Sequence, residues 1–107
     1  MSELRVGLLP EGALAAAAEF HAQVLPKAYV RLAENPGHLT LVFAPAGHSH
    51  RAWRLAAIQS LAREFAPVRV NGLASDSEPA ITQALAYLQT AAGVTGQLLE
   101  LDDTGAG

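Results

Sequence analysis

The sequence predicts an α/β fold: a Rossmann-like sheet of four parallel strands in β-α-β-α-β-α-β order, built in two or three layers. Three observations carry this. Four short apolar segments alternate with longer helical patterns. Those patterns run to 15 residues or more in places, the length that parallel crossover connections need. Half of the 107 residues are hydrophobic and 16% are charged, which fits one folded domain over residues 1–107 with one core.

The elements follow in order. Leu4–Leu9 is short, apolar and closed by Pro10, and reads as a strand. Gly12 to about Glu34 is alanine-rich and helical, with Leu14, Ala18, His21, Leu25, Ala28 and Leu32 on one face at three–four spacing. Pro26 interrupts it, so a kink or break is expected near Val24. Asn35-Pro36-Gly37 stops it.

His38–Ala44 is the clearest strand, closed by Pro45 and Gly47. A helix from about Ser49 to Phe65 follows, with Ser49 as N-cap and Pro67 as terminator. Val68–Ala74 is a third strand. Ser75–Pro79 opens the next helix with capping side chains, an acid in the first turn and an early proline. Ile81, Ala84, Leu85, Leu88 and Ala92 form its buried stripe, and Gly93 ends it. Gly96–Asp102 is the fourth strand, and Asp103–Gly107 is a loose tail. Right-handed crossovers are expected throughout.

Composition excludes several function classes. The formal net charge is −3 and the seven basic residues are spread along the chain, so no patch or stripe supports nucleic-acid binding. Without cysteine there is no disulfide, thiol catalysis or zinc–thiolate site. The first twelve residues lack a basic region followed by an apolar run, so no signal peptide is expected. No stretch approaches the ~20 apolar residues of a membrane span. A cytoplasmic location is the expectation.

"SLAREFAPVRVNGLA" (Ser60–Ala74) resembles the short-chain dehydrogenase/reductase family, in which a helix ending Leu-Ala-x-Glu-hydrophobic-Ala-Pro leads into a strand reading Arg-Val-Asn. "ITQALAYLQTAAGVTGQLLELDDTG" is similar to that family's closing helix and last strand. "AEFHAQVLPKAYVRLAENPGHLTLVFAPAG" looks, more weakly, like the preceding helix and the strand that normally ends in the catalytic serine. The resemblance covers most of residues 19–104, in family order and at roughly family spacing. It implies the C-terminal half of the family's fold.

The same resemblance implies that the family's chemistry is missing. Ala44 falls where the catalytic serine belongs, Gly47 at the tyrosine and Arg51 at the lysine. Ser75-Asp76 replaces the Pro-Gly that lies against the cofactor. The glycine-rich turn that seats the dinucleotide pyrophosphate has no counterpart in this chain. In the family the tyrosine moves the alcohol proton, while the lysine lowers its pKa and holds the ribose. The planar guanidinium of arginine does not replace that lysine faithfully. The expectation is a chain that is not an enzyme and binds no NAD(H), NADP(H) or other cofactor.

Other signals have sharper and plainer readings. His48 and His50, with His38, could form a metal site. Catalytic sites usually need three protein ligands, however, and no carboxylate is near in sequence, so no metal is expected. Asn71 reads best as a buried amide bonded to nearby backbone. Asp102 and Asp103 read as a solvated strand end. Arg51 is expected to pair with an acid or a carbonyl near its helix start.

The helix Ser49–Phe65 is apolar nearly all round, with its charges at the ends, which points to burial on two sides. In family members this helix and the preceding one form a four-helix bundle with a second subunit. The resemblance therefore implies a homo-oligomer, or pairing with a full-length dehydrogenase, through Trp53, Leu55, Ala57, Ile58, Leu61 and Phe65. Leu55 or Ile58, or both, should face away from the stripe Trp53-Ala57-Leu61-Phe65. The strand Leu4–Leu9 should form an apolar sheet edge that needs a cover. The rival reading is a small-molecule binder or residual oxidoreductase. It would use a crevice lined by Pro45–Arg51 and Ser75–Glu78 that brings His48, His50, Arg51 and Asn71 together.

Overall fold

The computed structural model describes residues 2–101. The order is β1 (Ser2–Arg5), α1 (Ala13–Glu19), a π-helical turn (Phe20–Val24), α2 (Leu25–Ala33), β2 (His38–Phe43), a 3₁₀ turn (His48–His50), α3 (Arg51–Glu64), β3 (Arg69–Ala74), α4 (Glu78–Thr90) and β4 (Leu98–Glu100). All four strands are parallel, in the order β1-β2-β3-β4. The expected α/β class and element order are therefore present. Asp102, Asp103 and the rest of the tail lie outside the described residues.

The sheet is covered on both faces, so the fold has three layers. Leu39, Leu41 and Phe43 of β2 join Val70 and Ala74 of β3 in one core with Phe20, Val24, Ala28, Leu32, Ala57, Ile58 and Leu61. Val42 and Leu73 point the other way and pack against Ile81, Leu85 and Leu88 of α4. This split follows from the alternation of side chains along a strand. The chain steps across the sheet in one direction, so crossovers on opposite faces have opposite hands. The α4 crossover thus differs in hand from the other two, contrary to the expectation of right-handed connections throughout.

The break near Val24 takes the form of a π turn inside one continuous helical run. The buried positions of that run are Ala16, Phe20, Val24, Ala28 and Leu32, each four apart. An α-helix turns about 100° per residue, so each step of four drifts the stripe by about 40°. The wider π turn carries an extra residue and brings the stripe back toward the sheet in large part. It sits just before Pro26, whose ring would otherwise crowd the carbonyl four residues earlier. The expected stripe is corrected accordingly. Ala28 and Leu32 are buried and Leu25 partly so, but Leu14, Ala18 and His21 face solvent.

The first strand is shorter than expected. It ends at Arg5, and Val6 adds one more bond, its N–H donating to the Val42 carbonyl at 2.8 Å. Leu8 and Leu9 lie in the following loop. The edge is short and carries Glu3 and Arg5, and Arg31 Nη1 donates to the Glu3 carbonyl at 2.7 Å. Charge and brevity blunt the edge without an apolar cover.

On the other side of the sheet, Ser77 caps α4 by accepting from the Ala80 N–H at 3.3 Å. Arg69 closes the far end of α4, its Nη1 donating to the Leu88 and Ala91 carbonyls at 2.9 and 2.7 Å. The expected stripe residue Ala92 is exposed, because α4 ends at Thr90.

Candidate functional site

The carboxyl ends of β1 and β2 open into a cleft of about 250 Å³. The loop Val6–Glu11 and the segment Phe43–Gly47 line it, together with His50 of the 3₁₀ turn and Arg54 of α3. Ligands of open α/β sheets bind at this end of the strands.

Arg54 is buried, at 5% exposure. Its Nη1 donates to the Ala44 carbonyl at 2.9 Å. Its guanidinium carbon lies 4.6 Å from the Phe43 ring centroid and 5.7 Å from that of Trp53, within cation–π range. Its Nε has no hydrogen-bond partner. Burial pushes the group below the usual guanidinium range, and the charge of Glu100 opposes that shift.

His50 is also buried. Its Nε2 lies 2.8 Å from the Glu11 carbonyl, which can only accept, so Nε2 carries the proton. Nδ1 then accepts from Trp53 Nε1 at 3.3 Å. Both ring nitrogens are committed in a neutral ring that ties the loop Val6–Glu11 to α3.

The other expected crevice residues do not join this cleft. His48 is exposed in the 3₁₀ turn. Arg51 Nη1 donates to Glu100 Oε1 at 2.9 Å, an exposed ion pair. Asn71 lies on the α4 face of the sheet. Its Oδ1 accepts from the Gln97 N–H at 3.0 Å and its Nδ2 donates to the Val94 carbonyl at 2.9 Å, the plain structural role. Ser75 is buried and accepts from the Ser77 N–H at 3.0 Å in the turn that starts α4. Of His48, His50, Arg51 and Asn71, only His50 lines the cleft.

The third histidine sits at the opposite end of β2. His38 Nε2 is 3.2 Å from both Thr40 Oγ1 and Asn71 Nδ2. Burial and the nearby Arg69 charge lower its pKa to about 4. Among the described residues no three His, Asp or Glu side chains gather into a metal-binding group.

Arg54 is the residue that sequence reasoning passed over. The signal was its position: it shares a stripe with Ala57, Ile58 and Leu61, all buried. A charge on the sheet-facing stripe of a helix marks a buried polar group.

The expected interface residues also divide. Ala57, Ile58 and Leu61 belong to the chain's own core, and Ile58 is fully buried. Trp53, Leu55 and Phe65 are partly buried against the same core. Ile58 is buried in the same core as Ala57 and Leu61, and Leu55 packs partly buried against it, whereas one or both were expected to face away from the stripe Trp53-Ala57-Leu61-Phe65. Ala52, Ala56, Gln59 and Ser60 are the exposed positions in the middle of α3. Beside them a groove of about 320 Å³ runs between α2 and α3, lined by Leu25, Tyr29, Trp53 and Ala56 among others.

These features define a Rossmann-like α/β chain whose cleft lies at the carboxyl ends of its strands. A family model described as short chain dehydrogenase-like protein matches residues 4–101, and the chain belongs to that family. No curated protein and no solved structure shows significant similarity to it. No helix among the described residues is long and apolar enough to cross a membrane.

The nicotinamide cofactor that the wider fold family uses does not fit the residues present. The cleft of about 250 Å³ is smaller than the ~300–1,000 Å³ of sites for drug-sized ligands. Ala44 and Gly47 offer it no side-chain hydroxyl, and Arg51 is turned to Glu100.

Proposed function

We propose that the protein is a non-catalytic family member that works by assembly, pairing α2 and α3 with the same helices of a second copy. A full-length dehydrogenase presenting an equivalent helix pair is the alternative partner. The observation that carries this reading is the α2–α3 groove. Its lining combines the small exposed positions Ala56 and Ser60 with Tyr29, which is 40% exposed. Small residues allow close helix approach, and a partner's side chains would fill the groove.

The non-catalytic part of the reading is supported by what occupies each position. Ala44 and Gly47 have no group to move a proton, and Arg51 is engaged with Glu100. Asn71 and Ser75 are spent on backbone partners. Sedimentation of the wild type and of Ala56→Glu tests the assembly. The wild type should sediment as a dimer or larger species, and the variant as a folded monomer.

A further inference from the structure

We propose that the cleft between the β1 and β2 loops binds a small monocarboxylate with a compact apolar body, its carboxylate held by Arg54. This site is separate from the α2–α3 groove and stands or falls independently of the assembly reading.

The first observation is an uncompensated buried charge. Arg54 is 5% exposed, lines the cleft, and has one hydrogen-bonded nitrogen and one orphaned nitrogen. No salt bridge to an acid is formed by it among the described residues. Glu100, the acid whose charge reaches it, is taken by Arg51. Aromatic faces and a single carbonyl offset only part of the cost of burying a cation, which is why buried charges are nearly always paired. A planar guanidinium with free donors matches a carboxylate.

The second observation is the character of the walls. Val6, Leu9, Pro10, Phe43 and Pro45 make them largely apolar. Leu8 is 96% exposed on the same loop, an apolar side chain at the rim. His50 adds no positive charge, since its ring is committed as a neutral donor and acceptor. One cation in an apolar cleft complements one negative charge on an apolar body. A phosphate dianion would need a second cation, and the cleft has none. Glu11 is exposed in the lining and opposes an anion, but from solvent, where screening is strong.

The test is a titration of the full chain with benzoate, isovalerate, neutral benzamide and inorganic phosphate, read by amide chemical shifts and by calorimetry. Benzoate or isovalerate should bind with Kd of about 1 mM or tighter and shift the amides of Phe43–Gly47. Benzamide should bind at least about tenfold more weakly, and phosphate not at all. Arg54→Met should abolish carboxylate binding while holding or raising the melting temperature, because an unpaired buried charge is removed. Arg54→Lys keeps the charge without the planar fork and should weaken binding about tenfold; it replaces the methionine variant if that one does not fold. The proposal is overturned if neither carboxylate binds below about 10 mM. It is equally overturned if benzamide matches benzoate, if phosphate binds as well as they do, or if a folded Arg54 variant binds like wild type.

Discussion

Asn71 Nδ2 stands 3.2 Å from His38 Nε2, and the geometry fixes which of them donates. The Asn71 amide cannot be flipped, because Gln97 N–H and the Val94 carbonyl hold its two ends. Nδ2 therefore donates and His38 Nε2 accepts, leaving the histidine proton on Nδ1. A proton on Nε2 would face the Asn71 amide hydrogens. Burial and Arg69 push the same way, and the pKa falls to about 4 from an ordinary 6.5.

Stability should therefore depend on pH between about 6.5 and 4. In that window the unfolded chain binds a proton on His38 and the folded chain does not, so stability is full above 6.5 and is lost as pH falls toward 4. With partial solvent access allowed for, the loss is on the order of 2 kcal/mol. Urea midpoints of wild type and His38→Gln should converge as pH drops from 7 to 4. A constant gap between them across that range would contradict the neutral buried histidine.

At Gly72 of β3 the side chain of Ile58 from α3 lies close against the backbone. A Cβ there would stand 3.1 Å from Leu98 Cδ1 and 3.2 Å from Ile58 Cδ1. Gly72→Val adds three carbons to that contact and should lower stability by about 1–3 kcal/mol. The companion Gly72→Val/Ile58→Ala should recover part of the loss. A chemical-denaturation midpoint unchanged in Gly72→Val would show that α3 does not press on β3 as described.

The nucleotide prediction follows from the occupants of the family positions. Calorimetric titration with NADH and with NADPH should give no binding. The double variant Gly47→Tyr/Arg51→Lys should show no NADPH oxidation with a generic ketone, because Ala44 and the small cleft remain. A dissociation constant in the low-micromolar range, about −8 kcal/mol, would contradict the non-catalytic reading.

Much of the fold was legible because strand periodicity and proline or glycine stops are local signals. His38–Phe43 and Arg69–Ala74 lie within one residue of the segments that those signals mark. Two features were not legible for the same kind of reason. The stripe Ala16-Phe20-Val24-Ala28-Leu32 has a period of four, which drifts around a regular α-helix and which the π turn brings back in large part. The second face of the sheet was undetermined because alternating burial does not say which helix covers which side. The site was legible only at its position. Arg51 drew notice through resemblance, whereas Arg54, one turn further along α3, is the arginine in the cleft.

The stripe on α3 also separates folding from assembly. Ile58→Glu would put a charge into the chain's own core and should destabilise the fold severely. Leu55→Glu strikes a partly buried position packed on the same core and should destabilise less. Both variants are therefore poor reporters of the seam. Circular dichroism melts should rank them wild type, then Leu55→Glu, then Ile58→Glu. A fully stable Ile58→Glu protein would place that side chain outside the core.

The most direct test of assembly through the α2–α3 face is sedimentation velocity at tens of micromolar, comparing wild type with Ala56→Glu. Pairing two copies of both helices should bury on the order of 1,600 Å² in total, the size of a standard stable interface. The account predicts a dimer or larger species for wild type and a monomer with an unchanged melting temperature for Ala56→Glu, whose side chain is exposed in the single chain. A wild type that sediments as a monomer, or an Ala56→Glu protein that associates as wild type does, would contradict it.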